Sequence, residues 1–381
     1  MELATKKSDR LLSDLNTTID QFLCRVLRGE MTRWSALDKR ISSEDFLSRC
    51  QHHGVQALLY HQAQGRGEWI EWPDDIRRAL EQQSKAGTAQ EMLRSYYLSK
   101  LLGKFSEHEV RCLLLKGEAL AYTHYLIPGT RARGDSDLFI HIDDVFIAQS
   151  LVDEMGLHIV SPKLRTHQFT VMQSESAVGA FVFDVHWRML NNPRYARLMS
   201  FDEVYDRSVV VPDLYCTRVP CTADALLLAC MHRLGSKNHD RDRLIWIYDI
   251  HLLISSMTTA EQTEFAAKAV ELDVQEECMD GIVRSCTWFC TRVAAEALEL
   301  LKAPGQQQNL STRFNRSNLA LLLDDAQRLP DLQSRKLLLC ELVLPPATFL
   351  EMKYGKSGRW WWPVLYTRHI IEGFLKRLTL R

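Results

Sequence analysis

The feature that most constrains this chain is a change in the period of its apolar residues near position 110, reversed near position 220. Before the first change, apolar residues recur at three- and four-residue spacing, as one face of a helix requires. "DRLLSDLNTTIDQFLCRVLRG" predicts a helix stopped at Gly29. "SSEDFLSRCQHHGVQALLYHQA" predicts another, capped by Ser43, with Leu47 opening its apolar face. "DDIRRALEQQSKAGTAQEMLRSYYLSKLLGKFSEHEV" reads as one long helix or two in series, with Gly87 as the weak point. Then come short strand-like runs: "CLLL", "DLFIHI", "LHIV", "HQFTVMQ" and "AFVFDVHWRM", with "SVVV" and "YCTRV" as an edge. Helical segments "EALAYTHYL" and "DDVFIAQSLVDEMG" lie among them. After Thr222 helical patterning returns in "TADALLLACMHRLGSK" and "RDRLIWIYDIHLLISS" and continues to about residue 345. The expected fold class is α+β in three parts: helical 1–108, a mixed α/β core 109–219 and helical 220–381.

Composition narrows the function classes. With 47 Lys+Arg against 48 Asp+Glu, whole-chain charge favours no polyanionic or cationic partner. Ten cysteines without a C-x-x-C pair read as small buried apolar residues in a reducing compartment. Cys286 and Cys290 share a helix face without partners at zinc spacing. The polar start "MELATKKSDRLLSDL" lacks an apolar signal core, and no apolar run is long enough to span a bilayer. The expectation is a cytoplasmic protein, in which Arg133-Gly134-Asp135 has no use as an extracellular adhesion tripeptide.

Chemistry concentrates in "TRARGDSDLFIHI". If a strand begins at Asp135, alternation puts Asp135, Asp137, Phe139 and His141 on one face and Ser136, Leu138, Ile140 and Ile142 on a buried one. Two carboxylates held that close repel, and a divalent cation with a preference for hard oxygen ligands, such as Mg²⁺, removes the cost. A solvated turn explains a bare D-x-D as well. Asp184 lies within an apolar strand, sharing a face with Val182 and His186. A carboxylate there is costly unless bound to metal, exposed or paired, for example with Arg188. In "LLLKGEAL", Gly117 allows close backbone approach at a helix start, and Lys116 supplies a point charge suited to phosphate. A plain strand-to-helix turn with a solvated lysine reads the same way. Together, three carboxylates holding two Mg²⁺ ions, with Mn²⁺ as a substitute, suit a nucleoside triphosphate donor: they clamp phosphates, activate a hydroxyl and stabilise departing pyrophosphate.

The ordered set "LLKGEALAYTHYLIPGTRARGDSDLFI", "FDVHWRM" and "LLLACMHRLGSKNHDRDRLIWIYDI" resembles the uncharacterised nucleotidyltransferase family of the polymerase-beta-like superfamily. The resemblance implies a minimal nucleotidyltransferase core. Asp135 and Asp137 would be paired metal ligands and Asp184 the third carboxylate. Lys116 and Gly117 stand where the superfamily usually has glycine-serine, and the loop from there to D-x-D is long. Arg131 and Arg133 then either reach phosphates or are solvated loop charges. His186 either contacts acceptor or base, or takes a proton, or is structural. Of the matching helical residues, Trp246 reads as core and Arg243 with Asp249 as a buried ion pair, with His232 unassigned. The implied activity is nucleoside monophosphate transfer to an acceptor hydroxyl or phosphate on a small molecule, RNA or protein. Its rivals are a catalytically silent nucleotide-binding or regulatory protein of the same fold, and a helical interaction scaffold. The basic, aromatic tail "KSGRWWWPVLYTRHIIEGFLKRLTLR" suits RNA or a membrane surface; docking of Trp360 to Trp362 onto the body is favoured, since exposed rings are costly.

Overall fold

The computed structural model describes residues 2–161, 167–173, 180–190, 195–196, 198–212, 214, 217–235, 242–302 and 358–379, with a few single positions between 332 and 355. The helices expected between about 302 and 345 lie outside the described residues.

Four helices precede the sheet: α1 (Glu2–Leu27), α2 (Ser43–His53), α3 (Gln56–Ala63) and α4 (Asp74–Glu107). The cap of α2 is Ser42, one residue before the expected Ser43. Its hydroxyl accepts the Asp45 N–H while the Asp45 carboxylate accepts the Ser42 N–H, a reciprocal box. Phe46, Cys50 and His53 form its buried face, with Leu47 at the margin. α4 runs through Gly87 unbroken. A Cβ there would stand 3.1 Å from the Gly129 carbonyl oxygen, so this glycine lets the turn Pro128–Thr130 cross the helix closely.

The strands are β1 (Cys112–Leu115), β2 (Ser136–Ile140), β3 (His158–Ser161), β4 (Gln168–Gln173), β5 (Phe181–His186), β6 (Val209–Val211) and β7 (Thr217–Val219). They form one mixed sheet in the order β3-β4-β5-β2-β1-β7-β6. At its centre β2 runs parallel to β5 and antiparallel to β1. Helices α5 (Lys116–Thr123), α6 (Val145–Glu154) and α7 (Phe201–Asp206) connect the strands. Beyond the sheet come α8 (Thr222–Gly235), α9 (Leu244–Ser256), α10 (Thr259–Glu271), α11 (Gln275–Phe289), α12 (Ala295–Leu301) and, near the end, α13 (Trp362–Thr379). None of the described helices is long and apolar enough to cross a membrane.

Every residue of β2 is buried, which corrects the expectation of a single buried face. Leu114, Leu138, Ile140, Phe183 and Val185 pack under the C-terminal half of α4 and under α6. Leu113, Leu115 and Phe139, on the opposite face, join a core built by α1–α3 together with α8–α12. The helical regions before and after the sheet thus share apolar contacts on the face that carries Asp137. Within the tryptophan cluster Trp360 is 89% exposed and Trp361 is exposed too, whereas Trp362 is half-buried and its helix buries Leu365.

Candidate active site

Strand register brings the acidic residues together. Asp137 in β2 lies directly opposite Asp184 in β5, and Leu115, the last residue of β1, lies opposite Asp137 on the other side. Lys116 therefore emerges beside the same carboxylate. Its Nζ donates to Asp137 Oδ1 at 2.5 Å, and His186 Nε2 is 2.8 Å from the same oxygen. Burial raises the Asp137 carboxyl, but the Lys116 charge and the His186 hydrogen bond overcome it, leaving the group well below the ordinary carboxylate range. Asp184 accepts the Thr170 hydroxyl at 2.6 Å through Oδ1. Ligand atoms of Asp137, Asp184 and His186 all lie within 4.8 Å of one another, a spacing that fits one metal ion.

Asp135 precedes the strand at the cleft rim, outside that close set. Surrounding atoms and then the Asp137 and Asp184 charges push its carboxyl up. Because Asp135 keeps solvent contact, the repulsion is the firmer cause; it marks three carboxylates close enough to sense one another. His186 is buried to 1%, which favours a structural orienting contact with Asp137 over direct access to a substrate. Among the described residues its Nδ1 has no hydrogen-bond partner.

The loop arginines are not solvated loop charges: both line the cleft with their guanidinium groups paired to carboxylates. Arg131 closes its fork on Asp249, with Nε–Oδ1 at 2.8 Å and Nη2–Oδ2 at 2.6 Å. Tyr125 donates to the same carboxylate at 2.7 Å. Asp249 thus pairs with Arg131 and not with the expected Arg243, which donates to the His52 carbonyl and lies over the Trp246 ring. Arg133 bonds Glu118 through Nε at 2.9 Å and Nη2 at 3.0 Å, and Glu91 at 2.5 Å. Ser136 also donates to Glu118, and Arg94 donates to the Arg133 carbonyl. This buried network clamps the loop that delivers Asp135 and Asp137. Gly117 serves it too: a Cβ there would meet the Arg131 guanidinium at 3.1 Å, so arginine fills the space expected for ligand. Sequence reasoning passed over Glu118, Glu91 and Arg94; an acid within the apolar run "GEALAY" was the available signal.

A cleft of about 440 Å³ opens beside these residues. Lys116, Asp135 and Asp137 line one side, and His232, Arg243 and Trp246 line the other, with Gln51 and Gln56 from the N-terminal helices. Trp246 packs against the core and also presents itself to the cleft, meeting the His232 ring edge-on. Burial and the Lys116 charge push His232 down to about 3, so its ring is neutral at physiological pH.

The cleft thus lies between the sheet and the helices, with Asp135 and Asp137 in its lining and Asp184 opposite Asp137 on the neighbouring strand. No curated protein matches the chain. Residues 39–289, well over half of it, match the model of an uncharacterised nucleotidyltransferase family, and the chain belongs to that family.

Proposed function

We propose that this protein is a metal-dependent nucleotidyltransferase that moves a nucleoside monophosphate from an NTP to an acceptor hydroxyl or phosphate. The observation carrying this reading is the register of Asp137 against Asp184, with ligand atoms close enough for a shared ion, beside a cleft of nucleotide size. Asp135, Asp137 and Asp184 would hold divalent metal, with His186 orienting Asp137. Bound Mg²⁺ or Mn²⁺ would polarise the phosphates and neutralise the developing charge. Asp184, with Oδ1 fixed by Thr170, offers Oδ2 to receive the acceptor's proton. The acceptor oxygen then forms its bond to the α-phosphorus as the α–β bridging bond breaks and pyrophosphate leaves. The neutral His232 and the Arg243–Trp246 pair form the wall against which a base or acceptor would rest. Arg131 and Arg133 act by holding the loop.

A test is incubation with each α-labelled NTP and Mg²⁺ against RNA, protein and small-molecule pools. Label transfer by the wild type and at least a hundredfold less by Asp137→Ala is the expected result; equal transfer by both would sink the reading. The silent-protein alternative is favoured by one observation, that Asp137 is already satisfied by Lys116 and His186. It requires nucleotide binding with no transfer to any pool.

A further inference from the structure

Lys116 adopts φ +51°, in the left-handed region that non-glycine residues rarely occupy. Such a backbone is strained and persists where surrounding structure enforces it. The adjacent Gly117, free to take that conformation, is not the residue in it. The strained turn carries the ammonium group to 2.5 Å from Asp137 Oδ1, in a largely buried pair with side-chain exposures of 17% and 7%.

The oxygens divide in two groups. Asp137 Oδ1 holds both Lys116 and His186, and Asp184 Oδ1 holds Thr170. Among the described residues, Asp137 Oδ2, Asp184 Oδ2 and both oxygens of Asp135 have no protein donor. Three carboxylates and one ammonium carry a formal charge of about −2, which one divalent cation would balance. Lys116 and His186 already occupy Asp137 Oδ1, so a cation held there would have to displace one of them or stand beside the ammonium charge.

We propose that Lys116 is a built-in cation standing in one of two cation positions, so that the chain takes a single exchangeable divalent ion on Asp137 Oδ2 and Asp184, with Asp135 beside them at the cleft. This rests on the metal-dependent reading above and replaces the expectations of two ions and of a phosphate-holding lysine. The side chain supplies at Asp137 the charge that a second metal would otherwise supply.

The test is titration of the metal-free full chain with Mn²⁺ alone, following the free-ion paramagnetic resonance signal. Lys116→Met removes the charge and keeps the stem; Lys116→Gly removes it and relieves the backbone, which guards against misfolding. One Mn²⁺ per wild-type chain and two per chain in both variants is the expected result. Two ions in the wild type, or one in both variants, overturns the proposal while leaving metal dependence standing. A second ion in Lys116→Gly alone assigns the effect to backbone strain and also overturns it. No bound Mn²⁺ in any of the three removes the metal-dependent reading, and the proposal with it.

Discussion

At the scale of the residue, Arg131 shows why an arginine near an acidic motif is not automatically a phosphate ligand. Its guanidinium is buried, and its fork is matched by Asp249, the partner geometry an arginine accepts best. Removing one member of a buried pair leaves the other charged in low dielectric, a cost of about 3–5 kcal/mol. Arg131→Met is therefore expected to lower unfolding stability by that order in urea titration. A phosphate-binding role would instead raise KM for NTP at nearly unchanged stability. Gly117→Ala should act through the same pair. Its methyl group meets the guanidinium at 3.1 Å, and overpacking of this kind costs about 1–3 kcal/mol. Denaturation of Gly117→Ala with and without Asp249→Asn would expose the coupling as non-additivity.

At the scale of the element, α4 and the contact of α2 with α9 carry the clearest expectations. Alanine is a better helix former than glycine by about 1 kcal/mol, so Gly87→Ala would stabilise an isolated α4. Here the new Cβ lies 3.1 Å from the Gly129 carbonyl and pushes on the turn behind the Arg131 loop. Backbone yields less readily than a side chain, so the expected outcome is a lower melting temperature. Between α2 and α9, His53 Nδ1 accepts the Leu244 N–H at 3.1 Å, and Nε2 lies 2.7 Å from Asp20 Oδ1. An accepting Nδ1 fixes the neutral ring, and Arg49 already answers Asp20 with two bonds. Burial accordingly holds the His53 pKa below the ordinary 6.5. The sign follows: the folded state prefers neutral histidine, so this contribution is present above pH 6.5 and is lost as pH falls toward the folded pKa. Asp20, pushed up by burial but held down more strongly by Arg49 and His53, keeps its contribution until well into the acid range. Urea midpoints should drop between pH 7.5 and pH 5 in the wild type and drop less in His53→Gln.

At the scale of the molecule, the proposed division into 1–108, 109–219 and 220–381 orders the chain without separating its cores. Leu113, Leu115 and Phe139 from the sheet share one apolar cluster with α1–α3 and α8–α12. Apolar surface contributes about 25 cal/mol per Å² buried, and a fragment covering 109–219 would leave that face in water. The fragment is expected to be aggregation-prone or poorly folded by circular dichroism and proteolysis, whereas the intact chain unfolds in one transition that includes the sheet. Two transitions, with the fragment native-like, would show independent domains.

The sequence by itself determined the order of helices and strands, since apolar period is a local property written in consecutive residues. It also marked Asp135, Asp137, Asp184 and Lys116, because charge beside apolar strand residues is conspicuous without coordinates. Its errors were in pairing. Arg131 and Asp249 are 118 positions apart, and neither residue's neighbours name the other. Arg133 looked like a loop charge because Glu118 and Glu91 approach it only after α4 and α5 pack around the turn. His186 and Lys116 converge on one oxygen of Asp137 because β5, β2 and β1 are adjacent in the sheet, not in the chain. Tertiary structure alone decided which charges are spent on each other and which stand open to a ligand. An ion pair depends on distances of a few ångströms, and those distances exist only once the strands are in register and the helices have closed over them.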